Sequence, residues 1–140
     1  MDGGMATILL VGTRAAALEG ISQTLSALGH STRVASSVND ARDAAAIAPP
    51  LVVVIEREIA EDAGASTLGV PLAPGGALLL FRTGAAIRNA LSPTLQRVVL
   101  ADLALPLERN RLVALVQHVE ERARATGRGK QESQSGELSL

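Results

Sequence analysis

The sequence has no cysteine, tryptophan or tyrosine and a single phenylalanine, Phe81. The absence of cysteine excludes disulfides, thiolate metal sites and cysteine nucleophiles. Aromatic residues make up 1% of the chain, so stacking surfaces for bases or sugars are essentially excluded. Lysine is almost as rare, because Lys130 is the only one. The formal net charge is -1 and no basic run stands out, which gives no support for direct binding to nucleic acid or to an acidic membrane surface.

Long apolar runs are also missing. No segment is long enough to span a bilayer, and the amino terminus lacks the basic region of a signal peptide, so we expect a cytoplasmic protein without membrane contact. Hydrophobic residues make up 47% of the 140 residues and charged residues 19%, which predicts one globular domain with a buried core. The small polar residues after Ala125 predict a domain over 1–125 and a flexible linker or tail over 126–140.

Five buried, strand-like segments alternate with helical patterns along the chain. Strands are expected at 7–11, 32–35, 51–55, 77–81 and within 97–105. Helices are expected at about 18–28, 40–47, 62–68, 85–91 and 107–125, the first of them ending at Gly29 as its C-cap. This alternation predicts a doubly wound, three-layer α/β sandwich with a five-stranded parallel sheet. Functional residues are then expected at the carboxyl ends of the strands.

The order and lengths of these elements resemble the receiver domain of two-component response regulators, from Thr7 to about Ala125. The segments LGHSTRVASSVNDARDAAAIAPPLVVVIE and ADLALPLERNRL carry the resemblance. It implies a flavodoxin-like topology and a role in two-component signalling. The last third, RVVLADLALPLERNRLVALVQHVEERARATGR, is also similar to the end of the atypical receiver of flagellar-type, sigma-54-dependent transcription activators. In those proteins the domain precedes an ATPase core.

A phosphorylatable receiver needs an acidic pair for Mg²⁺, an aspartate acceptor, a hydroxyl and a lysine. The matching positions hold Gly12 and Thr13 for the acidic pair, Glu56 or Ile55 for the acceptor, Thr83 or Arg82 for the hydroxyl, and Leu105 before Pro106 for the lysine. No alignment shift restores the missing groups, because Lys130 lies in the predicted tail and no acid lies between Asp2 and Glu19. The resemblance therefore implies a pseudo-receiver that is not an enzyme, with no catalytic residue, metal or cofactor.

Several of these positions also have a simpler structural interpretation. Thr13 is a candidate N-cap of the first helix. For Glu56, a solvated carboxylate is favoured over a mimic of phospho-aspartate, which carries more charge and more oxygens. The acidic residues that follow Glu56 are expected to be solvated rather than to bind a cation. In receivers the bond before the matching proline is usually cis, so Leu105-Pro106 is the candidate cis peptide bond.

The leading functional hypothesis is a non-catalytic signalling domain. It would regulate an attached or partner output module by protein contact or as a homodimer, without aspartate phosphorylation. The expected contact face comprises the fourth helix, fifth strand and last helix, with candidates Asp102 (at the family's aromatic switch position), Leu103, Arg109, Arg111 and Arg122. The alternative is a sensor that binds a nucleotide or another anion at Gly12-Thr13, where a helix N-terminus and Arg14 favour negative charge.

Overall fold

The computed structural model describes residues 6–83 and 90–139, with side chains described as far as residue 125. The strands are β1 Thr7–Val11, β2 Ser31–Ala35, β3 Val52–Glu56, β4 Ala77–Arg82 and β5 Val99–Ala104. The helices are α1 Ala15–Ser26, α2 Val38–Ile47, α3 Arg57–Ala63, α4 Pro93–Val98 and α5 Arg109–Ser139, with a 3-10 helix at Gly64–Gly69. All strand pairs are parallel, in the order β2-β1-β3-β4-β5. This arrangement confirms the predicted doubly wound α/β sandwich.

The core consists of two apolar layers, one on each face of the sheet. The strands β3 and β4 are buried on both faces because helices cover both sides. On one face, Leu18 of α1 and Leu112 of α5 pack against Phe81 of β4. On the other face, helices α2, α3 and α4 cover a second cluster that includes Ile55 and Leu80. All five helices run back from the carboxyl edge of the sheet, which leaves the strand-to-helix turns together at that edge.

The turn after α1 confirms one prediction and corrects another. Gly29 has a φ of 94°, and its N–H donates to the carbonyl of Ser26 while that of His30 donates to Leu25. This is the Schellman arrangement expected for a C-cap glycine. Leu28, predicted to lie on the inner stripe of the helix, is 44% exposed because the regular helix has already ended at Ser26.

The short helix predicted at 62–68 is found as two helical segments, which begin earlier than expected. The helix α3 begins at Arg57, directly after β3, and ends at Gly64, whose φ of 55° breaks the helical backbone. Residues 64–69 then form a 3-10 helix. The helix predicted at 85–91 falls mainly on residues outside those described, and α4 begins at Pro93 with Ser92 as its N-cap. The Ser92 hydroxyl accepts from the N–H of Leu95.

The last helix differs most from its predicted length. It was expected to end near Ala125, but its backbone continues to Ser139. No proline occurs after Ala125, so the helix that starts on the domain meets no residue that must stop it, and propagation needs no new nucleation. The expected linker at 126–140 is thus helical through 139, and its flexibility stays a prediction. Among the described residues, no helix combines the length and hydropathy that a membrane span requires.

Strand β5 lies at the edge of the sheet and carries a bulge. Leu78 pairs with Val99 and Leu79 with Ala101, so Leu100 has no partner on β4. Its side chain is 46% exposed. Bulges of this kind are common on edge strands, where they disfavour pairing with a further strand.

Candidate functional site

Glu56, at the end of β3, lies at the centre of the carboxyl edge and is only 3% exposed. Its Oε1 accepts hydrogen bonds from the Thr13 N–H at 3.0 Å and the Thr13 hydroxyl at 3.3 Å. Its Oε2 accepts from Nε of Arg14 at 2.7 Å. Both carboxylate oxygens are therefore bonded to the turn between β1 and α1. The expectation of a solvated carboxylate is wrong, because these three donors replace the water that burial removes.

Gly12 gives Glu56 the room to adopt this position. A Cβ built at Gly12 would lie 3.2 Å from Oε1 of Glu56 and 3.3 Å from Cδ2 of Leu18. Both distances are tighter than ordinary contact between carbon atoms and their neighbours. A side chain at position 12 would thus compete with the carboxylate at position 56 for the same space.

Arg14 rather than Thr13 is the residue that precedes helix α1, so the predicted N-cap is wrong. Arg14 has extended backbone angles and makes no side-chain cap. Thr13 instead uses its hydroxyl on Glu56. The Arg14 guanidinium also lies 3.5 Å from Oε1 of Glu58. Two carboxylates therefore surround the one cation of this turn.

Arg57, the residue after Glu56, points to the other face of the sheet and joins the start of α3 to β5. Its Nε donates to Glu61 at 2.7 Å, and its Nη1 donates to Oδ2 of Asp102. The exposed fractions of the three side chains are 11% for Arg57, 3% for Glu61 and 24% for Asp102. Burial lowers the pKa of Arg57, but the bonds to Glu61 and Asp102 outweigh that effect and raise the pKa overall.

The acidic residues after β3 are therefore largely paired rather than solvated. Glu58 contacts Arg14 and Glu61 contacts Arg57. Within 6–83 and 90–125, no group of three or more histidine, aspartate or glutamate side chains is arranged to hold a metal ion. The carboxylates of this edge are thus arranged around arginines.

At the opposite end of the edge, the residue that follows β5 is apolar rather than charged. Leu105 is 6% exposed and packs in the core, and the Leu105-Pro106 bond is cis, as predicted. Oε1 of Glu108 accepts from the Ala104 N–H at 2.7 Å, and Oε2 accepts from Arg111 at 3.1 Å. The Ala104 N–H, and then Arg111, lower the pKa of Glu108 below its usual range.

No family model matches the chain, and no curated protein matches it. Solved structures do. NtrX from Brucella abortus in complex with ADP has 17% identity and a TM-score of 0.66, over 91% of this chain and 29% of the NtrX chain. The CheY-like receiver domain protein from Methanospirillum hungatei has 16% identity and a TM-score of 0.65, over 87% of this chain and 98% of that one.

A third match is the N-terminal domain of a response regulator/sensory box/GGDEF 3-domain protein from Carboxydothermus hydrogenoformans. It has 13% identity and a TM-score of 0.67, over 86% of this chain and 98% of that one. The chain has a receiver-domain fold. At these identities the likeness extends to the fold alone.

Within the receiver fold, the predicted site residues separate into two groups. Gly12, Thr13 and Glu56 come into contact at one end of the edge. Thr83, Leu105 and Pro106 lie together at the other end, where they line a groove with α1. The residues of the second group form no hydrogen bond with Glu56 in the described part of the chain. The two groups of residues thus do not form one common binding site.

The predicted interface residues are only partly at the surface. Leu103 is fully buried, so its assignment to a contact face is wrong; its side chain alternates with that of Asp102 and points into the core. Asp102 itself is bonded to Arg57. By contrast, Arg109, Arg111 and Arg122 are exposed.

Sequence reasoning missed Arg57 and underestimated Arg14. The pair Arg57 and Glu61 has the four-residue spacing at which helical side chains meet, which was a usable signal. The contact of Arg57 with Asp102 spans 45 positions in the chain, and no local pattern indicates it. The sequence alone favours an external anion as the partner of Arg14, whereas Arg14 binds the carboxylate of Glu56 in its own chain.

Proposed function

We propose that this domain is a non-catalytic pseudo-receiver, which regulates an attached or partner output module by protein contact and without phosphorylation of an aspartate. One observation carries the proposal. At the acceptor position, the Glu56 carboxylate is buried with both oxygens bonded to Thr13 and Arg14. Where a phosphorylatable receiver has metal-binding acids, this chain has the turn from Gly12 to Arg14, and that turn binds the Glu56 carboxylate itself.

Phosphoryl transfer needs positive charge on the transferred group, usually from a metal ion and a lysine. At this edge the nearest cation, Arg14, already has two carboxylate partners. The lysine position holds Leu105, which is packed in the core. A phosphoryl group on Glu56 would disrupt the hydrogen bonds that Thr13 and Arg14 now make to the carboxylate, and Leu105 offers it no positive charge.

The contact face of this proposal is the surface formed by α4, β5 and α5. Val98 is 49% exposed there and Leu100 is 46% exposed, next to the exposed Arg122. Aliphatic groups beside arginines are typical of protein interfaces. Homodimerisation through this face is part of the proposal.

The similarity to NtrX supports a further domain as the regulated module, because this chain spans 29% of the NtrX chain. On this proposal, the helical extension of α5 leads from the domain to its output. Regulation of transcription in the cytoplasm, as in the activators that the last third resembles, is the specific form that we propose. The alternative sensor function gains no support from the geometry, because the charge of Arg14 is already neutralised.

The decisive test is phosphorylation by acetyl phosphate in the presence of Mg²⁺, measured as a change in intact mass. We expect no gain of mass in the wild-type chain. A phosphorylatable receiver treated in parallel serves as the positive control. A gain of one phosphate that disappears in Glu56→Gln would overturn the proposal.

A further inference from the structure

A pocket of about 320 Å³ lies at the amino edge of the sheet, opposite the edge that carries Glu56. One wall is the turn before β4, which contains Gly75 and Gly76, and another is the end of α4 together with Leu100 of β5. The helix α5 forms the third wall. The volume lies at the lower end of the range of about 300–1,000 Å³ that is typical of small-molecule sites.

The turn before β4 packs closely against its neighbours, which gives the pocket a fixed wall. Gly75 has a φ of 82°, and a Cβ added there would lie 3.2 Å from the Cβ of Ala123 on α5. A Cβ added at Gly76 would lie 2.6 Å from the carbonyl oxygen of Leu51, so that any side chain at this position would displace the turn. The wall is therefore formed by backbone, which side-chain rotation does not move.

The α5 wall of the pocket is cationic. His118 and Arg122 line it, and their spacing of four residues places them on the same side of the helix. The Arg122 guanidinium is permanently charged and carries five N–H donors, enough to bind both oxygens of a carboxylate and still serve another acceptor. None of the described residues that line the pocket is acidic. Glu120, on the same stretch of helix, lies outside it and pairs with Arg124 at 3.4 Å.

The other side chains that line the pocket are aliphatic. Val98 and Leu100 are both about half exposed, whereas Val119 is buried beneath them. Leu100 belongs to the bulge of β5 and has no partner on β4. An aliphatic chain lying against Val98 and Leu100 removes apolar surface from water, which is favourable. The pocket thus suits a ligand with one anionic end and one aliphatic end.

We propose that this pocket binds a small aliphatic carboxylate. Arg122 and His118 donate hydrogen bonds to the carboxylate, and the chain lies against Val98 and Leu100. A carboxylate fits better than a phosphate because the pocket offers one guanidinium, whose planar donors match two oxygens. A bound ligand covers Val98, Leu100 and Arg122, which also belong to the contact face of α4, β5 and α5, so that ligand and protein partner compete. Only this last consequence rests on the proposed function.

Titration of the ¹⁵N-labelled chain with hexanoate, followed by nuclear magnetic resonance, tests the binding. We expect saturable shifts of the amide signals of Gly75, Gly76 and Leu100. Two probes separate the ends of the ligand: 1-hexanol has the chain without the charge, and inorganic phosphate has charge without the chain. Each should bind at least about tenfold more weakly than hexanoate, because each lacks one of the two sets of contacts.

Paired variants test which residues hold the ligand. Arg122→Gln should raise the dissociation constant of hexanoate by about tenfold, since a hydrogen bond to a charged group is lost. Its matched control is Arg124→Gln, on the same helix but outside the pocket, which should bind like the wild type. Leu100→Ser should raise the constant by about threefold, whereas Leu107→Ser, which is also outside the pocket, should not.

Three results would each overturn the proposal. Hexanoate could cause no saturable shift in the wild-type chain. Arg122→Gln and Arg124→Gln could weaken binding equally, which would indicate only the overall charge of α5. Either 1-hexanol or phosphate could bind as tightly as hexanoate, which would assign the pocket to another class of ligand. These results do not bear on the phosphorylation test, because phosphate on Glu56 would remove the proposed function and leave the binding of hexanoate unaffected.

Discussion

The two ends of the carboxyl edge lack the charges of a phosphorylatable receiver in different ways. At the closed end, formed by Gly12, Thr13, Arg14 and Glu56, the carboxylate is kept and its partners come from the protein itself. At the open end, formed by Thr83, Leu105, Pro106 and Arg109, the position of the lysine is apolar and a groove lies beside it. The carboxyl edge thus has an interior charge network at one end and an accessible surface at the other.

The difference has an energetic consequence. A buried carboxylate is tolerated only while its donors are present, because an unpaired charge in the interior is strongly unfavourable. The closed end therefore constrains its residues tightly. Leu105 at the open end needs no partner beyond apolar neighbours, and the exposed residues around it are free to change with little effect on folding. We expect mutations to affect stability at the closed end and surface properties at the open end.

The largest effect is expected when an acid is introduced at the closed end. Gly12→Asp adds a side chain whose Cβ alone would lie 3.2 Å from Oε1 of Glu56, and it places a second carboxylate beside a buried one. We expect a loss of about 3 kcal/mol or more in the free energy of unfolding, measured by urea denaturation. The control Gly12→Ala should cost about 1 kcal/mol, since only the packing changes. Adding Glu56→Ala to Gly12→Asp should recover most of the lost stability. No recovery would contradict the inference that side chains at positions 12 and 56 compete for the same space.

A smaller effect is expected from Arg14→Ala, which leaves Glu56 buried with Thr13 as its remaining donor. We expect a loss of about 2 kcal/mol, the scale of one hydrogen bond to a charged group. Arg111→Ala is a matched control, because the two arginines are 53% and 55% exposed while their partners Glu56 and Glu108 are 3% and 34% exposed. Arg111→Ala should change stability little. Equal losses in the two variants would show that the burial of the acid does not matter.

The smallest effect is a pH dependence at the open end. The folded state lowers the pKa of Glu108, so the stabilisation is present above the ordinary glutamate pKa of about 4.3 and is lost as pH falls through the lower folded value. The free energy of unfolding, measured by denaturation from neutral to acid pH, should therefore change less with pH in Glu108→Gln than in the wild type. The same pH dependence in both proteins would argue against a stabilising hydrogen bond between Glu108 and the Ala104 N–H.

The sequence predicted the strands well because burial on both faces leaves continuous runs such as LLLF in β4. It also indicated the cis bond before Pro106 through the resemblance. The burial of Glu56 was not predictable from local pattern, since a charged residue at a strand end is usually solvated, and its donors lie 42 and 43 positions away. The burial of Leu103 follows from the alternation along β5, in which Ala101 and Leu103 are buried and Leu100 is exposed. Residue type alone does not indicate which of the two leucines faces the core.

The ion pair between Arg57 and Asp102 joins the start of α3 to β5 and passes over β4, which lies between β3 and β5 in the sheet. The edge strand is therefore held both by its own ladder and by a link to the strand beyond its neighbour. Tension applied through α5, the element that leaves the domain, would reach β3 through this link as well as through β4. We therefore expect β5 to resist separation from the sheet more strongly than its edge position alone would suggest.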